Sequence, residues 1–125
     1  MLKFQRLLVL AFVCVSGVAS AERWQERANN GRMKVRIDLD GFQRDGNLLT
    51  YRVEITYPKD PKRSGQSVIS TSVIDCGANK RKQIASETRF PDGTIRKTGG
   101  TNLWLNLKDW DFGAGVRNEY CGKAT

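Results

Sequence analysis

The residue pairs that could carry acid–base chemistry in this chain are carboxylate pairs, and the sequence contains no histidine. Without histidine, Ser-His-Asp and Cys-His triads and histidine-ligated metals are excluded. Two close pairs, Asp38/Asp40 and Asp109/Asp111, are of the kind that hydrolyses glycosides. Asp38 and Asp40, however, fall on the polar phase of an alternating strand, where we expect solvated carboxylates. The sequence therefore predicts no catalytic residue, no metal site and no cofactor.

Basic side chains gather in three short clusters that could bind an anionic partner. They are Lys59, Lys62 and Arg63; Lys80, Arg81 and Lys82; and Arg96 and Lys97. A basic surface interleaved with aromatic rings can bind nucleic acid through phosphate contacts and stacking. The aromatic residues here fall mainly on inward phases, so we expect most of them in the core and no specific nucleic-acid partner. The plainer alternative is that the clusters are solvated surface.

The N-terminus has the three parts of a secretory signal. Two basic residues precede an apolar run from Leu7 to Val15, and Ala19-Ser20-Ala21 provides the small residues that a signal peptidase requires. The apolar run is too short to span a bilayer. We predict a cleavable signal over residues 1–21 and a single mature domain over residues 22–125, with no transmembrane segment in the mature chain.

Cleavage changes both the charge and the cysteine count. Removing 21 of the 125 residues leaves 104, enough for one domain with a modest core. The mature chain carries 19 Lys and Arg against 13 Asp and Glu, a net charge of about +6, which favours anionic partners. Cys14 leaves with the signal, so we predict a disulfide between Cys76 and Cys121 in an oxidising compartment. A reactive or metal-binding thiol pair is the alternative, but it has no histidine or nearby third cysteine.

Two stretches near the start of the mature chain alternate apolar and polar residues. They are Met33–Asp40 and Leu49–Tyr57, and this period of two predicts strands with one solvent-facing side. Between them, Asp45-Gly46-Asn47 has strong turn chemistry. We therefore predict that the two strands form an antiparallel hairpin.

The middle of the chain continues as loop and strand. Pro58–Gly65 is predicted as an exposed basic loop. Ser67–Cys76 carries apolar residues on both phases, which predicts a central strand covered on both faces. Weaker alternation predicts a strand over Arg81–Phe90, followed by a turn and another strand over Thr94–Thr98. Trp104–Leu107 is compatible with a strand or with a packed irregular segment.

The C-terminal segment has helical rather than strand periodicity. Phe112, Val116 and Tyr120 recur every four residues, and Asp109 or Asp111 can cap the N-terminus. Two internal glycines weaken the helix, so it should be short and held by tertiary contacts.

Cys121 directly follows this helix and would fasten it to the sheet at Cys76. The predicted fold class is therefore α+β, mainly β. It consists of a single antiparallel sheet of about six strands, with a short C-terminal helix docked on it through the disulfide.

A set of single residues and dipeptides occurs in a distinctive order along the mature chain. They are Trp24, Asp38, Gly46-Asn47, Tyr51, Ser70, Asp75-Cys76, Arg81, Gly93, Trp104 and Cys121-Gly122. This order resembles the bacterial surface-adhesin protein E family over roughly residues 24–123. The Asp75-Cys76 dipeptide with the distal Cys121 is the most specific part.

The resemblance implies a sheet of about six strands with the helix tied to its concave face by the disulfide. It also implies function by binding, since members are surface proteins that bind host matrix proteins and can bind haem as dimers. The chain departs from that pattern in two ways. Phe12 and Val13 are too bulky for a lipoprotein signal at Cys14, and without histidine, haem could be ligated only by tyrosine, methionine or thiolate.

We expect a non-enzymatic, exported binding protein that recognises a host or envelope protein or an anionic polymer. A periplasmic or secreted location is favoured over anchoring at the cell surface. Exposed sheet edges would also permit homodimerisation by strand pairing. The alternative is a periplasmic inhibitor or accessory subunit of an envelope enzyme or secretion complex, with the Pro58–Gly65 loop inserted in an acidic cleft.

Overall fold

Eight strands and one helix are formed by residues 22–58 and 60–122, which a computed structural model describes. The predicted signal at residues 1–21, Cys14 within it, and Lys59 lie outside the described residues. The elements are β1 (Trp24–Asn29), β2 (Lys34–Asp38), β3 (Gln43–Asp45), β4 (Leu48–Tyr57), β5 (Gln66–Asp75), β6 (Lys80–Arg89), β7 (Ile95–Gly99), β8 (Leu105–Asn106) and α1 (Phe112–Tyr120).

The strands form one antiparallel sheet in the order β1-β2-β4-β5-β6-β7. Two short strands lie off this path, because β3 pairs with the start of β4 and β8 pairs with the start of β6. The prediction of a mainly β fold with an antiparallel sheet and a C-terminal helix is confirmed.

The predicted hairpin between the first two alternating stretches is confirmed in its pairing, with Ile37 of β2 opposite Val53 of β4. The Asp45-Gly46-Asn47 turn, however, joins β3 to β4 rather than β2 to β4. Gly46 has a φ of +60°, a left-handed conformation that glycine adopts without steric cost. After β2 the chain therefore loops outward and returns as β3 along the same edge of β4.

The core lies between the sheet and α1, on what we call the helix face of the sheet. Alternation in β2 and β4 sends their apolar side chains to this face, as the sequence predicts. Ile74 of β5 is fully buried there at 0% exposure, and Val116 is the residue that α1 contributes to the same hydrophobic cluster. The other buried members of this cluster are Val35, Ile37, Leu49, Tyr51, Val53 and Leu107.

The opposite face, which we call the outer face, is also partly covered. Ile69 and Val73 of β5 are buried there, which fits the expectation of a strand covered on both sides. Two guanidinium groups lie over the Trp24 ring of β1, that of Arg36 at 5.6 Å and that of Arg52 at 5.4 Å from its centroid. These cation–π contacts help to hold β1 at the edge of the sheet.

The expectation that Asp38 is solvated is wrong, since its exposure is only 2%. One carboxylate oxygen accepts hydrogen bonds from the backbone N–H groups of Arg23 and Asp40, at 3.1 and 3.0 Å. The other oxygen accepts from Arg52 at 3.2 Å. Of these donors, Asp40 belongs to the turn directly after Asp38, Arg23 precedes β1, and Arg52 lies in β4. Asp40 is exposed, as expected.

The C-terminal end of α1 is fastened to the sheet by several contacts. The predicted Cys76–Cys121 disulfide is confirmed, with Cα atoms 5.7 Å apart. Arg44 donates to the carbonyl of Cys121 at 3.0 Å, and the Phe42 ring stacks on Tyr120 with centroids 4.1 Å apart. Among the described residues, no helix has both the length and the apolar character needed to cross a membrane.

Candidate functional site

A groove with a volume of about 430 Å³ opens on the helix face, beside the first turn of α1. We call it the helix-face groove. Ligand sites in proteins commonly have volumes of roughly 300–1,000 Å³. The lining comes from strands β2, β4, β5, β6 and β8, from α1 and from the segments that flank these elements. It consists of Met33, Val35, Tyr51, Val53, Ile55, Ser70, Ser72, Arg81, Gln83, Thr101, Leu105, Asp111, Phe112 and Gly113.

One wall of the groove is apolar and is built by β2 and β4. Val35 and Val53 are buried, while Ile55 and the preceding Met33 of the β1–β2 turn are half-buried. At the rim, Leu105 and Phe112 are 48% and 40% exposed. This wall and rim leave an apolar surface that a ligand could cover, since burial of apolar area is the main favourable term in binding.

The opposite wall is polar and is built by β5 and β6. Gln83 donates through its amide nitrogen to the Ser70 hydroxyl at 2.9 Å. Gln83 lies opposite Ser72, just before the register of the β5–β6 pairing shifts between Ser72 and Thr71. These short polar side chains occupy helix-face positions where β4 carries apolar ones. The polar wall therefore arises from the sequence of β5 and β6, not from a change of face.

Arg81 lies at the α1 end of the polar wall and is half-buried. Its guanidinium has no hydrogen bond, salt bridge or ring contact with another described residue. A guanidinium carries five N–H donors in a planar fork. Arg81 therefore presents unfilled donor capacity to the groove.

Tyr51 forms the floor beside Arg81 and is only 3% exposed. Burial raises the pKa of its hydroxyl above the usual value of 10.0, because the charged form is poorly solvated there. The positive charge of Arg81 and a hydrogen bond from Ser72 oppose this rise in pKa, and Asp111 adds to it. Tyr51 is thus a neutral hydroxyl whose pKa is influenced by the charges of Arg81 and Asp111.

The first turn of α1 closes the end of the groove. Asp111, one of the two aspartates predicted as possible caps, is the N-cap residue, but its side chain makes no capping hydrogen bond to the helix. Its carboxylate instead accepts from the backbone N–H of Lys108 at 3.0 Å. Gly113 is buried against the sheet, where a Cβ would lie 2.9 Å from Leu107 and 3.4 Å from the Tyr51 hydroxyl. The absence of a side chain at Gly113 lets α1 approach this closely.

The predicted cluster of Lys80, Arg81 and Lys82 is divided between the two faces of the sheet. Successive residues of a strand point to opposite faces, so only Arg81 reaches the groove. Lys82 instead lies over the Trp104 ring, with its ammonium 4.7 Å from the ring centroid. Lys80 is exposed.

The other predicted basic residues lie at the opposite end of the strands. Gly65 of the β4–β5 loop lies against Pro91 of the β6–β7 turn, so this loop and turn are neighbours. Arg63 covers the Tyr57 ring at 4.7 Å and Arg96 covers the Phe90 ring at 5.3 Å. Lys62 and Lys97 are exposed. The seven predicted residues that the structure describes therefore do not form one site.

The expectation that most aromatic residues lie in the core holds for Tyr51 but not for the tryptophans late in the chain. Trp110 is 82% exposed and Trp104 is 40% exposed. Trp110 lies in the turn before α1, and Trp104 precedes the two-residue strand β8.

Sequence reasoning did not find the groove, although one signal for it was present. Tyr51, Ser72, Arg81 and Gln83 share the helix face but come from three strands. Their proximity depends on how β4, β5 and β6 pair with one another, and the alternation pattern within a single strand does not show this pairing. The sequence does contain one signal. Because successive strand residues point to opposite faces, Arg81 must lie on the face opposite to that of Lys80 and Lys82.

No family model, curated protein or solved structure matches this chain. The resemblance to the surface-adhesin protein E family therefore stays a prediction. Three members of the ordered set on which it depends, Tyr51, Ser70 and Arg81, line the helix-face groove.

Proposed function

We propose that this chain is an exported, non-enzymatic binding protein whose ligand site is the helix-face groove. The observation that carries the proposal is the Arg81 guanidinium, half-buried in the groove without a partner among the described residues. In that same part of the chain, no fully buried side-chain nitrogen or oxygen lacks a hydrogen-bond partner. The unfilled donors of Arg81 are thus not fully buried, and because Arg81 lines the groove, a ligand in the groove can reach them.

The ionisable groups of the groove favour holding a ligand over transferring protons. Arginine stays protonated in proteins and does not act as a base. The raised pKa of Tyr51, caused mainly by burial, keeps its hydroxyl neutral at physiological pH. Asp111 is already hydrogen-bonded to the Lys108 backbone. These three groups support recognition rather than general acid–base catalysis.

The sequence supports placing this binding function outside the cytoplasm. The tripartite N-terminus favours export, and the Cys76–Cys121 disulfide is typical of an oxidising compartment. A surface-adhesin-like role, with a ligand from the host or the envelope, follows from the resemblance. The bulky Phe12 and Val13 directly before Cys14 favour a periplasmic or released protein over an anchored one.

The proposal can be tested by blocking the groove in the full chain expressed in a bacterium and purified from the periplasm or medium. Thr101 is exposed and lines the groove, so Thr101→Trp should fill it with little effect on the core. Gln25→Trp, at an exposed position of β1 outside the groove, is the matched control. Native mass spectrometry then reports any bound molecule, and denaturing mass spectrometry reports the N-terminus.

We expect a mature chain that begins at Glu22 and carries a ligand, either small or protein, in the wild type and in Gln25→Trp. Thr101→Trp should lose that ligand while keeping the wild-type unfolding temperature. A chain that keeps residues 1–21 would contradict export. Equal ligand binding by Thr101→Trp, or no ligand on any variant, would contradict the groove as the binding site.

We also propose that any homodimer forms through β1 rather than β7. Both strands are sheet edges with unpaired backbone groups. β7 carries Arg96 and Lys97, whose like charges would repel in a self-paired edge, whereas β1 carries Glu26 and Arg27. Light scattering over a range of concentrations measures the mass, and Arg96→Glu with Lys97→Glu should leave it unchanged.

A further inference from the structure

We infer that the ligand of the helix-face groove is a small apolar acid, with its carboxylate on Arg81 and its apolar body along β2 and β4. This inference rests on the proposed function and specifies its ligand. It depends on the unfilled hydrogen-bonding capacity of the groove, its charge, and the position of its apolar wall.

The largest hydrogen-bonding capacity that remains open in the groove is that of a donor, the Arg81 guanidinium. The Gln83 amide nitrogen is bonded to the Ser70 hydroxyl, and one oxygen of the Asp111 carboxylate accepts from the Lys108 N–H. The Arg81 fork has no such partner among the described residues. A carboxylate complements a guanidinium through two parallel charge-assisted hydrogen bonds, and the Tyr51 hydroxyl lies beside it as a further neutral donor.

The charge around Arg81 favours an anion, and a singly charged one. Arg81 packs against the first turn of α1, since its Cδ lies 3.2 Å from the position of a Cβ on Gly113. A cation next to a helix N-terminus is unfavourable, because that end carries partial positive charge. The first turn contains no acidic residue. Asp111 lines the same groove, however. Its negative charge would repel a dianion more strongly than a singly charged carboxylate.

The apolar wall begins next to Tyr51 and continues along β4 through Val53 to Ile55. The four residue steps from Tyr51 to Ile55 along the strand correspond to roughly 13 Å. Val35 and Met33 flank this path on the β2 side. A carboxylate at Arg81 therefore places an extended hydrocarbon chain against apolar side chains, and the volume of about 430 Å³ accommodates a medium-length chain.

The test uses decanoate as the probe, with decan-1-ol and decyl phosphate as comparison ligands of the same chain length. Each is titrated below its aggregation concentration into the mature protein, with binding followed by methyl NMR signals of Val53 and Ile55. Arg81→Gln removes the charge, and Arg81→Lys keeps it. Lys82→Gln, on the next residue and the other face, is the matched control.

We expect decanoate to bind the wild type and Lys82→Gln equally and Arg81→Gln at least about tenfold more weakly. Arg81→Lys should retain part of the affinity. Decan-1-ol should bind the wild type at least about tenfold more weakly than decanoate, since it lacks the ionised acceptor. Thermal unfolding of each variant verifies that the fold is kept.

Equal affinity for decanoate and decan-1-ol would overturn the role of Arg81, and tighter binding of decyl phosphate would overturn the preference for a carboxylate. Failure of decanoate to shift the Val53 and Ile55 signals would overturn the ligand class. If a native ligand were still lost in Thr101→Trp, the groove would remain the binding site. The failure of this inference and that of the proposed function are therefore distinguishable.

Discussion

Gly113 of α1 lies directly over Arg81 of β6, so that a Cβ on the glycine would be 3.2 Å from the arginine Cδ. The same added atom would lie 2.9 Å from Leu107, which is buried in the core. The distance between the helix and the sheet at the end of the groove is therefore set by a residue without a side chain. Gly115, two positions later, faces open space.

This contrast predicts opposite effects for two alanine substitutions in one helix. Gly115→Ala should stabilise the protein by up to about 1 kcal/mol, because alanine favours the helix. Gly113→Ala should be less stable than Gly115→Ala by about 1–3 kcal/mol, because the methyl group is forced into a packed contact. Urea denaturation measures both. Equal stabilisation by the two substitutions would contradict the close packing at Gly113.

The disulfide should account for a large share of the stability of a domain this small. It closes a sequence separation of 45 residues. Replacing both cysteines, Cys76→Ser with Cys121→Ser, should lower the free energy of unfolding by about 2–4 kcal/mol. The intact mass of the oxidised protein should be lower by two hydrogens than that of the reduced protein. Two free thiols after periplasmic expression would contradict the bond.

The strands with strict alternation could be predicted from the sequence, because one side of each is buried. β2 and β4 follow this rule, and the two-phase apolar pattern of β5 indicates its coverage on both faces. β1 could not be predicted, since five of its six residues are exposed and carry no pattern. It is held by backbone pairing with β2 and by the Trp24 contacts with two arginines.

The candidate site was less accessible to sequence reasoning than the fold. The local density of basic residues indicates Lys80, Arg81 and Lys82 as a group. In the structure, only Arg81 of the three is half-buried in the groove without a hydrogen-bond partner among the described residues. Asp38 was misplaced for a related reason. The strand pattern places it on a polar phase, whereas donors from three separate segments, on Arg23, Asp40 and Arg52, satisfy its carboxylate in a buried position. Both properties arise from contacts between elements.

The ion pair between Glu22 and Arg52 should contribute a small, acid-sensitive stability. The hydrogen bond from Arg52 holds the pKa of Glu22 below its usual 4.5. Because the folded pKa is lowered, this contribution is present above the unfolded pKa and is lost as pH falls through the folded pKa. Glu22→Gln should cost under about 1 kcal/mol at neutral pH, since the pair is solvent-screened. A difference that persisted in strong acid would contradict this origin.

The basic side chains lie at both ends of the strands, which predicts weak and unspecific binding to anionic polymers. On a heparin column, Lys62→Glu with Arg63→Glu should lower the salt concentration for elution. Lys80→Glu with Lys82→Glu should lower it by a similar amount, because each change removes the same charge. Loss of retention in only one of the two variants would instead reveal a dedicated polymer site.

The phenol of Tyr51 should titrate at an unusually high pH, and Arg81 should limit how high. Burial is the main cause of the raised pKa, and the positive charge of Arg81 acts against it. Arg81→Gln should therefore raise the pKa of Tyr51 further, as measured by tyrosinate absorbance with Tyr51→Phe identifying the transition. Since the folded pKa lies above the unfolded value of about 10, the contribution to stability is full below that pH and is lost as pH rises through the folded pKa. If Arg81→Gln left the titration unchanged while Lys82→Gln moved it, Arg81 would not face the Tyr51 hydroxyl, and the charge assigned to the groove would be wrong.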